Sequence, residues 1–351
     1  MASASPQRRV CVTGGGGFIA SWLVKLLLSR GYAVHATLRN PCDPKNAHLK
    51  QLDGASENLH LFKADVLDCD ALARAVEGCE GLFHLATPVP EDKVVNPEAS
   101  IYSFDANMPL EVLGPAVKGT INVLKICSIM KVQKVVVMSS NAAVTSNPNW
   151  PEDKRKDESC WSDKEFCKQK EDWYSVAKIA AEQEAWQYAD KKGLNVVTLC
   201  PPYVFGPMLQ PTANASSKIL IYIIKGGSDV MNNRMWDMVD VRDVADALLL
   251  VYEKKESSGR YICSSNRIST RDLVDLLRKM YPKYSYINNI DDAEHKAPVT
   301  SQKLRDLGWE PRKLEETLMD SVECYQKAGL LDIHANPCRL PFLVRAWQVN
   351  P

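Results

Sequence analysis

The chain has 351 residues, 45% of them hydrophobic and 25% charged, and its 43 basic residues balance its 43 acidic ones. That is long and apolar enough for a substantial core, which excludes disordered scaffolds and fibres. A formal net charge of zero gives no general attraction to nucleic acid or to an anionic membrane.

From the N-terminus, short β-branched segments alternate with segments of helical period. Strands are predicted at Arg9 to Thr13, Ala33 to Leu38, Leu59 to Ala64, Gly81 to Leu85, Lys134 to Met138 and Asn195 to Leu199. Helices are predicted at Phe18 to Ser29, Ala71 to Val76, Leu110 to Ile129 and Glu171 to Lys191. Val135 to Met138 is apolar at every position, as in a strand covered on both faces. The alternation predicts an α/β fold with a doubly wound parallel sheet. Asp153 to Asp157, with three consecutive basic residues, reads as a solvated loop. Beyond about residue 200 the texture changes to prolines, short helices and loops. We expect a cofactor domain over 1–200 with a return at 236–258, and an interleaved, mainly substrate-binding α/β region over 201–351.

Eleven cysteines, an odd number with no C-x-x-C spacing, supply neither a disulfide framework nor a zinc site and fit a reducing, cytoplasmic setting. The six histidines show no metal-ligand spacing, and His84 on an apolar strand reads as a core residue. No apolar run approaches the roughly 18 to 20 residues of a membrane helix.

The first strand runs into Thr13, Gly14, Gly15, Gly16, Gly17, Phe18, Ile19 and Ala20 at the start of a helical pattern. Glycines there permit a tight turn and let backbone N–H groups approach a pyrophosphate at a helix N-terminus. Two registers fit, Gly15-x-Gly17-x-x-Ala20 and Gly14-x-x-Gly17-x-x-Ala20, both for dinucleotide binding. After the second strand an NAD enzyme usually places an acidic residue for the ribose hydroxyls, and here Arg39 stands instead, with Lys45 following. Cations suit a 2′-phosphate, so NADP(H) is the expected cofactor. Asp65 and Val66, after the third strand, are placed for the adenine.

Tyr174 and Lys178 lie four apart at a helix start, on one face. A free phenol, with a pKa of about 10, is a poor proton donor and acceptor, and a nearby ammonium favours its ionised form. Lys178 is therefore expected to lower the Tyr174 pKa. The strand before it delivers Ser139 and Ser140 to the C-terminal edge of the sheet, where a hydroxyl can polarise a substrate carbonyl; of the two, Ser140 is favoured. Tyr188 and Lys192 repeat the spacing by chance, roughly 21 Å further along the helix.

These residues together with Arg-Asn-Pro at 39–41, Phe83 to Val89, Trp173 and Phe205-Gly206-Pro207 resemble the plant cinnamoyl-CoA reductase-like branch of the extended short-chain dehydrogenases, with dihydroflavonol reductases as relatives. The likeness runs from about residue 8 to about 325. It implies a Rossmann domain, NADPH and a Ser-Tyr-Lys mechanism, with Leu85, Ala86 and Thr87 in the cofactor crevice and Pro201 and Val204 near the nicotinamide. It also implies a phenylpropanoid substrate; a monomer or weak dimer is expected. The chain departs from that pattern at Ser175, where such enzymes carry cysteine. It departs again at Lys218 and Ile221, which align with a His-x-x-Lys pair around CoA. Arg260 aligns with the arginine of that group. A hydroxycinnamoyl-CoA thioester, an aldehyde or a ketone are the substrates to distinguish. A non-catalytic NADP-binding protein and a nucleotide-sugar epimerase are the other readings. Trp150, Trp161, Trp173 and Tyr203 are candidates for aromatic surface against the ring, but buried aromatics more often serve as core, and that reading is favoured.

Overall fold

A computed structural model describes residues 7–87, 110–293 and 297–332; Pro88 and Val89 of the family-like run lie outside them. The first part comprises β1 (Arg9–Thr13), α1 (Phe18–Ser29), β2 (Ala33–Leu38), α2 (Ala55–Asn58), β3 (Leu59–Lys63), α3 (Cys69–Val76), β4 (Gly81–His84), α4 (Leu110–Ile129), β5 (Lys134–Met138), α5 (Lys164–Gln169), α6 (Trp173–Lys192) and β6 (Val196–Cys200). The second adds β7 (Tyr203–Phe205), α7 (Ala215–Lys225), β8 (Met231–Asn232), β9 (Met235–Asp240), α8 (Val241–Glu253), β10 (Gly259–Ile262), β11 (Asn266–Ser269), α9 (Thr270–Met280), β12 (Ile290–Asp291), α10 (Gln302–Asp306) and α11 (Leu314–Lys327).

Seven parallel strands form the central sheet in the order β3-β2-β1-β4-β5-β6-β10. This is the doubly wound arrangement expected from the alternation. The order reverses between β1 and β4, so the connections after these two strands leave on opposite faces and open a crevice at their C-terminal ends. β2 and β5 are buried at every position, as strands between two helical layers must be. One face carries α1 and α8, whose Leu23, Leu27, Val244 and Leu248 share a core. The other carries α3, α4 and α6 through Leu72, Leu124 and Ala185. A separate core joins α7, α9 and α11 to β7 and β9, with Trp236 and Tyr222 at its centre.

The strand and helix ends shift where capping decides. Asp68 and Asp172 accept backbone N–H bonds at the starts of α3 and α6, which fixes those starts better than periodicity does. The seventh sheet strand, Gly259–Ile262, lies beyond the expected 236–258 return, and Met235–Asp240 belongs to a three-stranded sheet with β7 and β11. The charge of Arg260 interrupts the apolar run there, and that arginine is nevertheless buried. The loop around Asp153 is not wholly solvated either. Lys156 is buried, donates to the Thr145 carbonyl at 2.5 Å and bridges to Val299. Among the described residues no helix is long and apolar enough to cross a membrane.

Candidate active site

The turn between β1 and α1 is shaped by close backbone approach. A Cβ on Gly15 would lie 2.7 Å from the Ala36 Cβ, and one on Gly16 would lie 2.1 Å from the Asn46 Oδ1. Gly14 has φ +69° and passes close to Ala86. Gly17 is the N-cap of α1, with no side-chain cap and no acidic residue in the first turn. The N–H groups of that turn are thus left for an anion, at the positive end of the helix. Ile19 is half-buried and Phe18 packs into the core.

Thr13 departs from its expected contact with a cofactor because it is fully buried. Its hydroxyl accepts from the Leu85 and Ala86 N–H groups, both at 3.1 Å, and pairs with the His84 Nδ1 at 2.9 Å. Thr13 therefore ties the ends of β1 and β4 together and sets the width of the crevice. His84 is the core histidine expected: burial and the charge of Lys178 lower its pKa to about 3, and its Nε2 meets the Thr120 hydroxyl at 3.2 Å.

Arg39, Lys63, Ala64, Asp65, Asp68 and Arg74 line a cavity of about 300 Å³ at the C-terminal ends of β2 and β3. Arg39, Lys63 and Arg74 supply three cations. Lys63 and Arg74 escaped the sequence reading because one ends a strand and the other sits on α3, where each reads as surface charge. Lys45 is not among the lining residues. It stands on a short 3-10 segment with its ammonium 3.1 Å from Asp43. Asp65 accepts from the Leu67 N–H. Val66 fits against Gly119, where a Cβ would come within 2.6 Å of its Cγ2.

At the end of β5 the structure separates the two serines. The Ser139 hydroxyl is buried and donates to Glu182 at 2.6 Å, so it is not available to a cofactor. Ser140 is half-buried and accepts from the Ala142 N–H, and its hydroxyl lies close enough to the Tyr174 phenol to lower that phenol's pKa. Asp172 caps α6 by accepting from the Ser175 N–H and hydroxyl, which places Tyr174 in the first turn. Burial pushes the Tyr174 phenol up to about 12, Asp172 and Tyr203 add to this, and Ser140 opposes it. The expected lowering by Lys178 is therefore not what this state shows: burial dominates, and Lys178 is not among the groups that shift the phenol. Tyr174 is protonated at neutral pH, the form a donor requires. The Lys178 ammonium lies 5.9 Å from the centre of the Tyr174 ring and donates to the Met138 carbonyl at 3.2 Å. Burial brings its pKa down to about 8, against the pull of Cys200 and Glu182.

The glycine turn, the cationic pocket and the tyrosine–lysine pair thus all lie at the C-terminal ends of strands of the one sheet. The family model described as "NAD dependent epimerase/dehydratase family" matches residues 10–264. Cinnamoyl-CoA reductase 1 of Petunia hybrida is 42% identical over 92% of this chain and 94% of its own length. The chain belongs to the NAD dependent epimerase/dehydratase family, and it is a homologue of the cinnamoyl-CoA reductases. The crystal structure of vestitone reductase from alfalfa superposes with a TM-score of 0.77 at 31% identity, covering 92% of this chain and 99% of that one. Gre2 of Candida albicans in complex with NADPH gives 0.72 at 27%, over 93% and 100%.

Within this family member, the residues expected around CoA are placed differently. Arg260 is 7% exposed, and all five of its N–H donors are used internally. They bond to both oxygens of Glu182 and to the carbonyls of Ala143, Glu158 and Cys160. Its guanidinium also lies 3.7 Å from the centre of the Trp161 ring. A saturated, buried guanidinium has no donor left for a CoA phosphate, so Arg260 is not a substrate contact. Ile221 is packed in the second core, while Lys218 is half-buried on α7. Val204 is also a core residue, and the Pro201 carbonyl accepts from Asn141. Trp161 and Trp150 are occupied by Arg260 and Lys154. Trp173 packs against the small core of Ala143, Cys167, Val176 and Ile179. Tyr203 packs against the second core, its ring 4.8 Å from that of Trp236, with Arg234 donating to its hydroxyl at 2.9 Å. The sequence reading also missed Asn141, beside Ser140. It is buried, and among the described residues neither of its side-chain amide atoms has a partner.

Proposed function

We propose that this chain is an NADP(H)-dependent reductase of a phenylpropanoid carbonyl, acting on a hydroxycinnamoyl-CoA thioester to give the aldehyde and free CoA. The observation that carries the reading is the meeting of Ser140, Tyr174 and Lys178 at the end of β5, beside a turn whose glycines leave room only for backbone. The cations of Arg39, Lys63 and Arg74 fit the 2′-phosphate of NADP(H). NADPH, when bound, supplies the hydride that the carbonyl carbon accepts.

Ser140 holds the carbonyl oxygen by a hydrogen bond, and Tyr174 gives that oxygen its phenolic proton as negative charge develops there. Lys178, with its ammonium near the phenol ring, stabilises the phenolate that remains and orients the nicotinamide ribose. With a thioester, the C–S bond of the hydroxy-thioether then breaks and the carbonyl re-forms. The sulfur leaves as CoA–SH with the hydroxyl proton. Reduction of an aldehyde or ketone to an alcohol is the second reading, and the internal placement of Arg260 and Ile221 favours it. A cytoplasmic setting goes with either, since the ten described cysteines are free thiols.

The test compares NADPH oxidation with feruloyl-CoA and with coniferaldehyde while thiol release is followed. Thiol released in step with NADPH consumption is the expected result. Turnover of coniferaldehyde alone would replace the thioester reading with the second one.

A further inference from the structure

The helix that carries Tyr174 and Lys178 has a third residue on the same face, four further on. Glu182 is 1% exposed and lies inside the sheet edge. Its carboxylate accepts from the Ser139 hydroxyl at 2.6 Å, the Thr198 hydroxyl at 2.7 Å and the Arg260 Nε at 2.8 Å. Lys178 donates to the Met138 carbonyl and Glu182 accepts from the Ser139 hydroxyl, while Tyr174 lies beside Ser140. Three residues a helical turn apart on α6 thus meet three consecutive residues at the end of β5, two of them through hydrogen bonds. Arg260 extends the clamp to the Ala143 carbonyl, which ends the turn begun by Ser140, and to the Cys160 carbonyl.

We propose that the Glu182–Arg260 pair is a positioning device for proton transfer, fixing Ser140 against Tyr174 and placing a negative charge one turn below Lys178. Replacing a buried ion pair by apolar side chains is often neutral or stabilising, so fold stability alone is a weak reason for this one. The groups facing Lys178 are Tyr174 and Glu182 from its own helix, His84 from β4 and Cys200 from β6, with Arg260 of β10 behind Glu182. His84 is held neutral by burial and burial raises the Cys200 thiol, which leaves Glu182 as the anion that supports the ammonium. The inference rests on Tyr174 and Lys178 being the proton-transfer pair. Because Lys178 loses its proton as pH rises through about 8, activity that needs the ammonium falls on that limb.

The experiment measures NADPH binding by fluorescence, and kcat and the alkaline limb of kcat/KM, using feruloyl-CoA or, where that is not turned over, coniferaldehyde. The variants are Glu182→Gln, Glu182→Asp, the double variant Glu182→Leu with Arg260→Met, and Tyr174→Phe. Glu182→Gln is expected to lower kcat by roughly 10- to 100-fold, the scale of a small misplacement of reacting groups. NADPH affinity stays near the wild-type value and the alkaline limb moves about one pH unit downward. Glu182→Asp keeps the limb in place, since the charge remains. The double variant, which leaves no unpaired buried charge, binds NADPH but shows the same loss of kcat, with a smaller downward limb shift because the Arg260 cation goes together with the Glu182 anion. Wild-type kcat and an unmoved limb in the double variant would overturn the inference and leave the pair a packing element. Turnover by Tyr174→Phe would overturn the underlying assignment instead, so the two failures are distinguishable.

Discussion

The crevice at the end of β1 and the site at the end of β5 are built from different materials. At β1 the working surface is backbone, with glycines at 14–17 and an α1 N-terminus without a side-chain cap. At β5 it is side chain, with a phenol, an ammonium, a carboxylate and a guanidinium packed into the sheet edge. The first needs only that nothing protrude, and it offers an anion the same N–H groups whatever the surrounding charge. The second depends on charges that cost free energy to bury and hold their positions only while every partner is present. In the proposed function, selectivity for the phosphate-bearing cofactor rests on the cations lining the pocket, whereas the ionisation of the phenol and ammonium is governed by burial.

Breaking one partner should therefore do most harm at β5. Arg260→Met leaves Glu182 buried without its cation, and we expect a loss of about 3–5 kcal/mol in urea unfolding. The KM of the folded remainder for feruloyl-CoA should not change; a large rise would restore Arg260 as a CoA contact. In the cofactor crevice Arg39→Gln should lower the NADPH-over-NADH preference by about 1.5–3 kcal/mol of charge-assisted bonding. Dissociation constants for both nucleotides measure this, and an unchanged ratio would leave the task to Lys63 and Arg74. The smallest effect belongs to Ser175→Ala. It removes the hydroxyl bond to Asp172 but leaves the N–H cap, for a loss of about 1 kcal/mol read as a modest fall in Tm. A fall several times larger would show that the cap sets the whole start of α6.

The same contrast decides how much of each region was legible in the sequence. The glycine run, the apolar strands and the start of α1 are local patterns, and the parallel sheet they imply accounts for six of the seven strands observed. Tyr174 and Lys178 were legible because four residues make one helical face. The partners of the site were not. Glu182 and Arg260 are 78 residues apart, and nothing local marks a strand with an arginine in it as the seventh strand of a buried sheet. Arg260 was accordingly read from the family pattern as a ligand contact, and its place inside the fold shows why pattern alone misleads for a charged residue. The two adjacent serines present the same problem in miniature. Their opposite directions on the strand end, one into the core toward Glu182 and one toward Tyr174, appear only once the helix is packed against them.

The central claim is that Tyr174 supplies the proton in an NADPH-dependent carbonyl reduction. It is tested most directly by preparing Tyr174→Phe, titrating NADPH into it by fluorescence, and following a single turnover with whichever of feruloyl-CoA and coniferaldehyde the wild-type protein reduces. The account predicts near wild-type NADPH affinity with reduction slowed by roughly 10²- to 10⁴-fold, the usual contribution of a positioned general acid. Reduction at a rate close to wild type would contradict it.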